Sequence, residues 1–154
     1  MDEVIEALAR RTDHKILAIW AADCAERALH YFEERRPEDD RPRNAIEELR
    51  TWARTGVFKM ADIRRDALAA HAAAREVEKD DAARSAARAA GQALATAHVP
   101  SHAIAAAIYA VTAVRDATIS HDVDAAMFKE RDWQYRHLQE LVENHEDVTE
   151  ISSH

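Results

Sequence analysis

Two glycines, Gly56 and Gly91, and three prolines, Pro37, Pro42 and Pro100, are the whole glycine and proline content of 154 residues. A many-stranded sheet needs far more turn formers, and strands are poor in alanine, which occurs 34 times. Alanine favours helix because it loses no side-chain entropy there. Sandwiches, barrels, doubly wound sheets and glycine-rich phosphate loops are therefore excluded. The expectation is an all-α fold, a compact bundle of about six mostly antiparallel helices. A chain of this length supports one core, so residues 1–154 are read as a single domain.

The breakers and caps place the helices. A short one at Asp2–Ala9 precedes Asp13, which can cap a long helix from His14 to Arg36 with a stripe of Leu17, Trp20, Cys24, Ala28 and Tyr31. Pro37 ends it. Asp40 is the expected N-cap of the next helix, with Pro42 in its first turn and Gly56 as its stop. A third runs from Phe58 to Val77. The acidic run Glu78–Asp81 caps a fourth, Ala82–His98, and Ser101 caps a fifth, His102–Asp116, after the break at Pro100. The fifth is apolar nearly all round, which puts it in the middle. The last spans Val123–Asn144, leaving 145–154 as a loose tail. From Ala61 to Ala110, 21 of 50 residues are alanine, so helix axes can approach closely. Trp20, Trp52, Trp133, Phe58 and Tyr109 are then expected to supply much of the apolar burial.

Charge narrows the partners. Lys and Arg number 21 against 29 Asp and Glu, a net −8, which argues against a nucleic-acid binder. The first residues, MDEVIEALARR, lack the basic start and apolar run of a signal peptide. The most apolar stretch, Ala103–Val114, is too short for a membrane span. A cytoplasmic protein is expected. The single Cys24 sits among apolar residues and reads as a small core side chain.

Several groups have chemical possibilities. His71, His98 and His102 fall beside alanine-rich surface, and Asp23 sits at the edge of a buried stripe. Together they could serve as acid, base or metal ligands in a small-molecule pocket. The plainer reading has the histidines bonding backbone at helix ends and Asp23 pairing with Arg27, four residues on. There is no HExxH and no paired ExxH motif, so no cofactor is expected and a metal ion is the alternative. Asp39, Asp40, Arg41 and Arg43 concentrate charge on one connection. Trp133 and Arg136 combine two residue types favoured as interface anchors. These six are candidate partner contacts, with a salt-bridged helix start and a core tryptophan as the plain alternatives. An alanine-rich helix face could also join two copies of the chain.

Six strings carry a resemblance: WAADCAE at 20–26, PEDDRPR at 37–43, AIEELRTWAR at 45–54, AAHAAAR at 69–75, AAGQALATAHV at 89–99 and ERDWQ at 130–134. They are similar to the alanine-rich, all-helical immunity proteins predicted in bacterial polymorphic-toxin systems, over about His14 to Leu138. The resemblance implies a cytoplasmic partner-binding protein that neutralises a cognate toxin. It carries over no catalytic or toxin-contacting residue. The alternative is an enzyme using the Asp23, His71, His98 and His102 pocket.

Overall fold

The computed structural model describes residues 2–57, 59–77 and 79–152, with side chains to residue 146. Phe58 and Glu78, and the end of the tail, lie outside the described residues. Among the described residues seven helices follow in order: α1 (Asp2–Arg10), α2 (His14–Glu33), α3 (Arg41–Thr55), α4 (Met60–Glu76), α5 (Asp81–Ala95), α6 (His102–Ala117) and α7 (Val123–Ser152). Among the described residues there is no strand. The short N-terminal helix accounts for the seventh. α7 is longer than its sequence pattern: the helix continues beyond Asn144 through the segment expected to be loose.

The local signals mostly act where they stand. The Asp13 carboxylate accepts the Lys15 amide at 3.2 Å, and Asp80 accepts the Ala83 amide at 3.0 Å. Gly56 closes α3 in a left-handed conformation (φ 70°), its amide reaching the Trp52 carbonyl at 2.7 Å. Two caps differ. Asp40 occupies the cap position of α3 without a side-chain bond; Asp39, one residue earlier, accepts the Arg41 amide at 3.2 Å. Ser101 makes no cap bond either. The amides of His102 and Ala103 are taken instead by the carbonyls of Val99 and Pro100, each at 3.1 Å. The tight turn around Pro100 thus replaces a capping side chain.

The core draws on every helix. Its centre is α2 and α5. α2 buries Trp20, Cys24, Leu29 and Phe32, and α5 buries nine small residues from Ala82 to Ala93 together with Leu94. α5 packs against α2, α3, α4 and α6. α6, expected in the middle, is an outer layer: Ala106 and Ala110 face inward while Ile108 is 58% exposed. An apolar pattern rich in alanine misleads here, because alanine costs little at a surface and fills little in a core. The large side chains are also redistributed. Trp20 is fully buried, but Trp52, Trp133 and Tyr109 only border the core. Aliphatic residues, among them Ile46, Leu49, Leu94 and Leu138, take their place.

α7 is attached differently. Leu138 is its buried apolar anchor among the described side chains, beside two buried polar residues, Glu130 and Gln134. The buried Trp20 indole donates to the Gln134 carbonyl at 2.9 Å, and the Gln134 amide donates to the Ala107 carbonyl at 3.0 Å. One glutamine therefore ties α7 to both α2 and α6.

Candidate interaction face and histidine groove

The polar side of α2 carries Asp23, Glu26, Arg27 and Glu33 at helical spacing. α3 lies on one side of it and α7 on the other. Arg43 at the start of α3 bonds Glu33 (2.8 Å) and Glu26 (2.8 Å). Two turns further along the same face, Arg50 bonds Glu26 (2.9 Å), Glu47 (3.0 Å) and Asp23 (3.0 Å). The other Asp23 oxygen meets His137 Nε2 of α7 at 2.7 Å. His137 stacks on Trp133, ring centroids 4.7 Å apart, and the Arg27 guanidinium lies 4.0 Å from the Trp133 ring. Arg27 finally grips Glu130 through two bonds of 2.7 and 3.0 Å.

The result is one unbroken chain of polar contacts, from Glu33 through Arg43, Glu26, Arg50, Asp23, His137 and Trp133 to Arg27 and Glu130. Most of its members are half-buried, so the pairs are partly shielded from water and worth more than exposed ones. Glu33's carboxylate holds the Arg43 proton more firmly than usual, and Glu130 does the same for Arg27. Five carboxylates (Glu33, Glu26, Glu47, Asp23, Glu130) face three guanidiniums (Arg43, Arg50, Arg27), which leaves the face net acidic.

Of the six contact candidates, Arg43 and Trp133 are on this chain. Asp39 and Arg41 are locked together by two bonds, at 2.9 and 2.7 Å, and Arg41 also reaches Glu76. The Arg41 bond keeps the Asp39 carboxyl below its ordinary range. Asp40 is exposed, and Arg136 is exposed with an ion pair to Asp132 at 2.9 Å. Sequence reasoning missed Glu26, Arg50, Glu130 and His137. The 130, 133, 137 spacing on one face of α7 was a readable signal, as was 23, 26, 27 on α2. Arg27, assigned in sequence to Asp23, belongs to Glu130: the i, i+4 partner is displaced by a carboxylate that offers two bonds from another helix.

The histidines divide from Asp23. His71, His98 and His102 line one groove between α4, the end of α5 and the start of α6, and Asp23 is not part of it. His102 Nδ1 is 2.7 Å from the Gln92 side-chain oxygen. His71 is wedged against Gly91, where a Cβ would stand 2.7 Å from its Nε2. Its Nδ1 is buried without a partner among the described residues. Burial, then Arg88, Arg75 and His102, depress the His71 proton affinity, so the ring is neutral at neutral pH. Among the described residues no three His, Cys, Asp or Glu side chains are grouped so as to hold a metal ion. Cys24 is fully buried and unpaired. Desolvation, with Asp23 and Glu130 nearby, pushes its thiol well up, which suits an inert core residue.

A compact all-α body with one charge-laced side face is what the geometry defines. Its family follows from comparison. The model of the family described as Imm-5 like putative immunity protein matches residues 7–141, and the chain belongs to that family. Comparison with curated proteins and with solved structures gave no match. Among the described residues no helix is long and apolar enough to cross a membrane.

Proposed function

We propose that this chain binds a protein toxin and neutralises it by covering it with the α2–α3–α7 face. Family membership supports the class of function. The observation that carries the contact surface is the unbroken polar chain joining Arg43 to Trp133. It presents a surplus of carboxylates around a half-buried aromatic. A net charge of −8 suits a basic partner, such as a toxin that acts on nucleic acid. Trp133, braced by Arg27 and His137, is the rigid aromatic anchor at the centre of the face. Glu47 at its rim steers encounter.

The test is capture of the toxin encoded beside this gene, followed by affinity measurement across salt. Trp133→Ala is expected to weaken binding by about 2 kcal/mol or more, as truncated aromatic hot spots do. Glu47→Lys should slow association and flatten the salt dependence. Full-strength binding by both variants, indifferent to salt, would remove this face from the interface.

A further inference from the structure

The groove between α4, α5 and α6 has an unusual lining for an acidic protein. One wall is apolar: Met60, Ile63, Ala67 and Leu68. Its charged and polar lining is Arg64, Gln92 and the three histidines, and among the described residues no carboxylate lines it. In a chain with 29 acidic residues, this is a local reversal of charge. Arg64, exposed at the rim, has no ion-pair partner among the described residues, and neither has Arg88, which lies within electrostatic reach of His71. Almost every arginine of the α2–α3–α7 face is satisfied several times over. Here the positive charge is uncommitted.

Shape adds a second constraint. The groove is open to solvent on one side and offers about 210 Å³, room for a ring or a short alkyl chain. Gly91 lets the His71 ring lie against α5; a Cβ there would stand 2.7 Å from Nε2, so the ring would have to shift. The Gln92 contact at 2.7 Å engages Nδ1 of the His102 ring and leaves its Nε2 without a hydrogen-bond partner among the described residues.

We infer that this groove is a binding site for a small apolar carboxylate, whose ring or short alkyl body lies on Met60, Ile63, Ala67 and Leu68 while its carboxylate is held by Arg64, His98 and His102. The occupant follows from charge complementarity: an apolar slot whose polar edge supplies one cation, Arg64, with imidazole hydrogen-bonding groups and, among the described residues, no competing anion. The site is separate from the proposed toxin-binding face, and neither depends on the other.

The experiment uses the full chain and the histidine Cε1–H signals in proton NMR. Benzoate and hexanoate are titrated in, with benzyl alcohol and hexanol as neutral counterparts. Both acids should shift the His98 and His102 signals together and saturably, with dissociation constants of about 1 mM or below. The alcohols should bind at least about tenfold more weakly, since they lack the charge-assisted bond. Arg64→Gln, at an exposed position that the fold does not need, should lower the affinity for both acids about tenfold and leave the alcohols unchanged. The proposal is overturned if the acids give no saturable shift. It is equally overturned if the alcohols match the acids, if Arg64→Gln changes nothing, or if the shifts fall on His30 and His121 instead.

Discussion

At the scale of single residues, two contacts make sharp predictions. The first is Gly91 against His71. A glycine inside a helix ordinarily costs about 1 kcal/mol relative to alanine, so Gly91→Ala should stabilise. Here the new Cβ would lie 2.7 Å from the His71 ring. Gly91→Ala is expected to lower stability by about 1–2 kcal/mol, as overpacked positions do. In a His71→Ala background the same change should be neutral or stabilising. Urea denaturation of the four proteins measures the coupling, and additive effects would refute the contact. The second is Glu48. Burial, then the facing Asp66 carboxyl, push the Glu48 carboxyl up to about 7. Asp66 is held low by Arg65 and Glu48, so it keeps the charge of the pair. The folded state retains a proton on Glu48 that the unfolded chain releases above about pH 4.3. Stability contributed by this group therefore falls as pH rises from about 4.3 to 7. Glu48→Gln should remove that slope and gain about 1 kcal/mol at pH 8, the full linkage being reduced by solvent screening. Melting curves at pH 5 and 8 decide this; an unchanged slope would mean that Glu48 titrates normally.

Among elements, α7 leans on polar bonds for much of its attachment, with a single fully buried apolar anchor among its described side chains. α2, α5 and α6 hold one another through buried small side chains, whereas α7 adds Leu138, Gln134 and the Arg27–Glu130 pair. Gln134→Leu should cost about 1 kcal/mol, because the bond from its amide to the Ala107 carbonyl, which within α6 also serves the helix ladder, is lost and the apolar side chain brings no donor. Hydrogen exchange should show the loss first in α7, with α2 and α5 protected; uniform loss across the molecule would contradict a separately fastened helix. This division also explains what the sequence could show. Helix ends set by Asp13, Gly56, Asp80 and Pro100 are local events, and a linear reading finds them. The contact of Asp23 with His137 spans 114 residues, and that of Arg27 with Glu130 spans 103. No spacing rule reaches so far, so Arg27 was matched to its helical neighbour. Trp133 was legible as an anchor by residue type. Of its braces, His137 was readable by its spacing on α7, whereas Arg27, on α2, was not. The convergence of His71, His98 and His102 was half-readable, because Pro100 forces the chain to turn back where two of them lie.

For the molecule as a whole, the limiting quantity is volume. α5 buries seven alanines and a glycine between Ala82 and Ala93, and it touches four other helices. Its axis can sit that close to its neighbours because those side chains are small. Ala90→Val should therefore destabilise by about 1–3 kcal/mol, by overpacking and by the lower helix propensity of a β-branched residue. The same change at the exposed Ala61 should cost less than about 0.7 kcal/mol. Chemical denaturation of both variants compares them, and equal costs would deny that packing space sets the limit. The fold class followed from composition at once, since few glycines and prolines and many alanines leave helices as the economical answer. Which helix is central did not follow. Alanine is silent about inside and outside, and the decision fell to the narrow Arg84, Arg88, Gln92 stripe of α5 and to the bare Ile108 of α6.

An interior built from the smallest side chains has a consequence for how such a protein can change over generations. Most cores can drift by trading a larger residue here for a smaller one there. This one has almost nothing to trade, because few buried positions in α5 can shrink further and growth forces helices apart. Variation is pressed outward, onto exposed side chains around α2, α3 and α7 such as Asp40, Glu47 and Arg136. On the proposed reading, in which this side of the molecule meets a toxin, the scaffold and its bridging ion pairs stand still while the rim of the contact surface is rewritten.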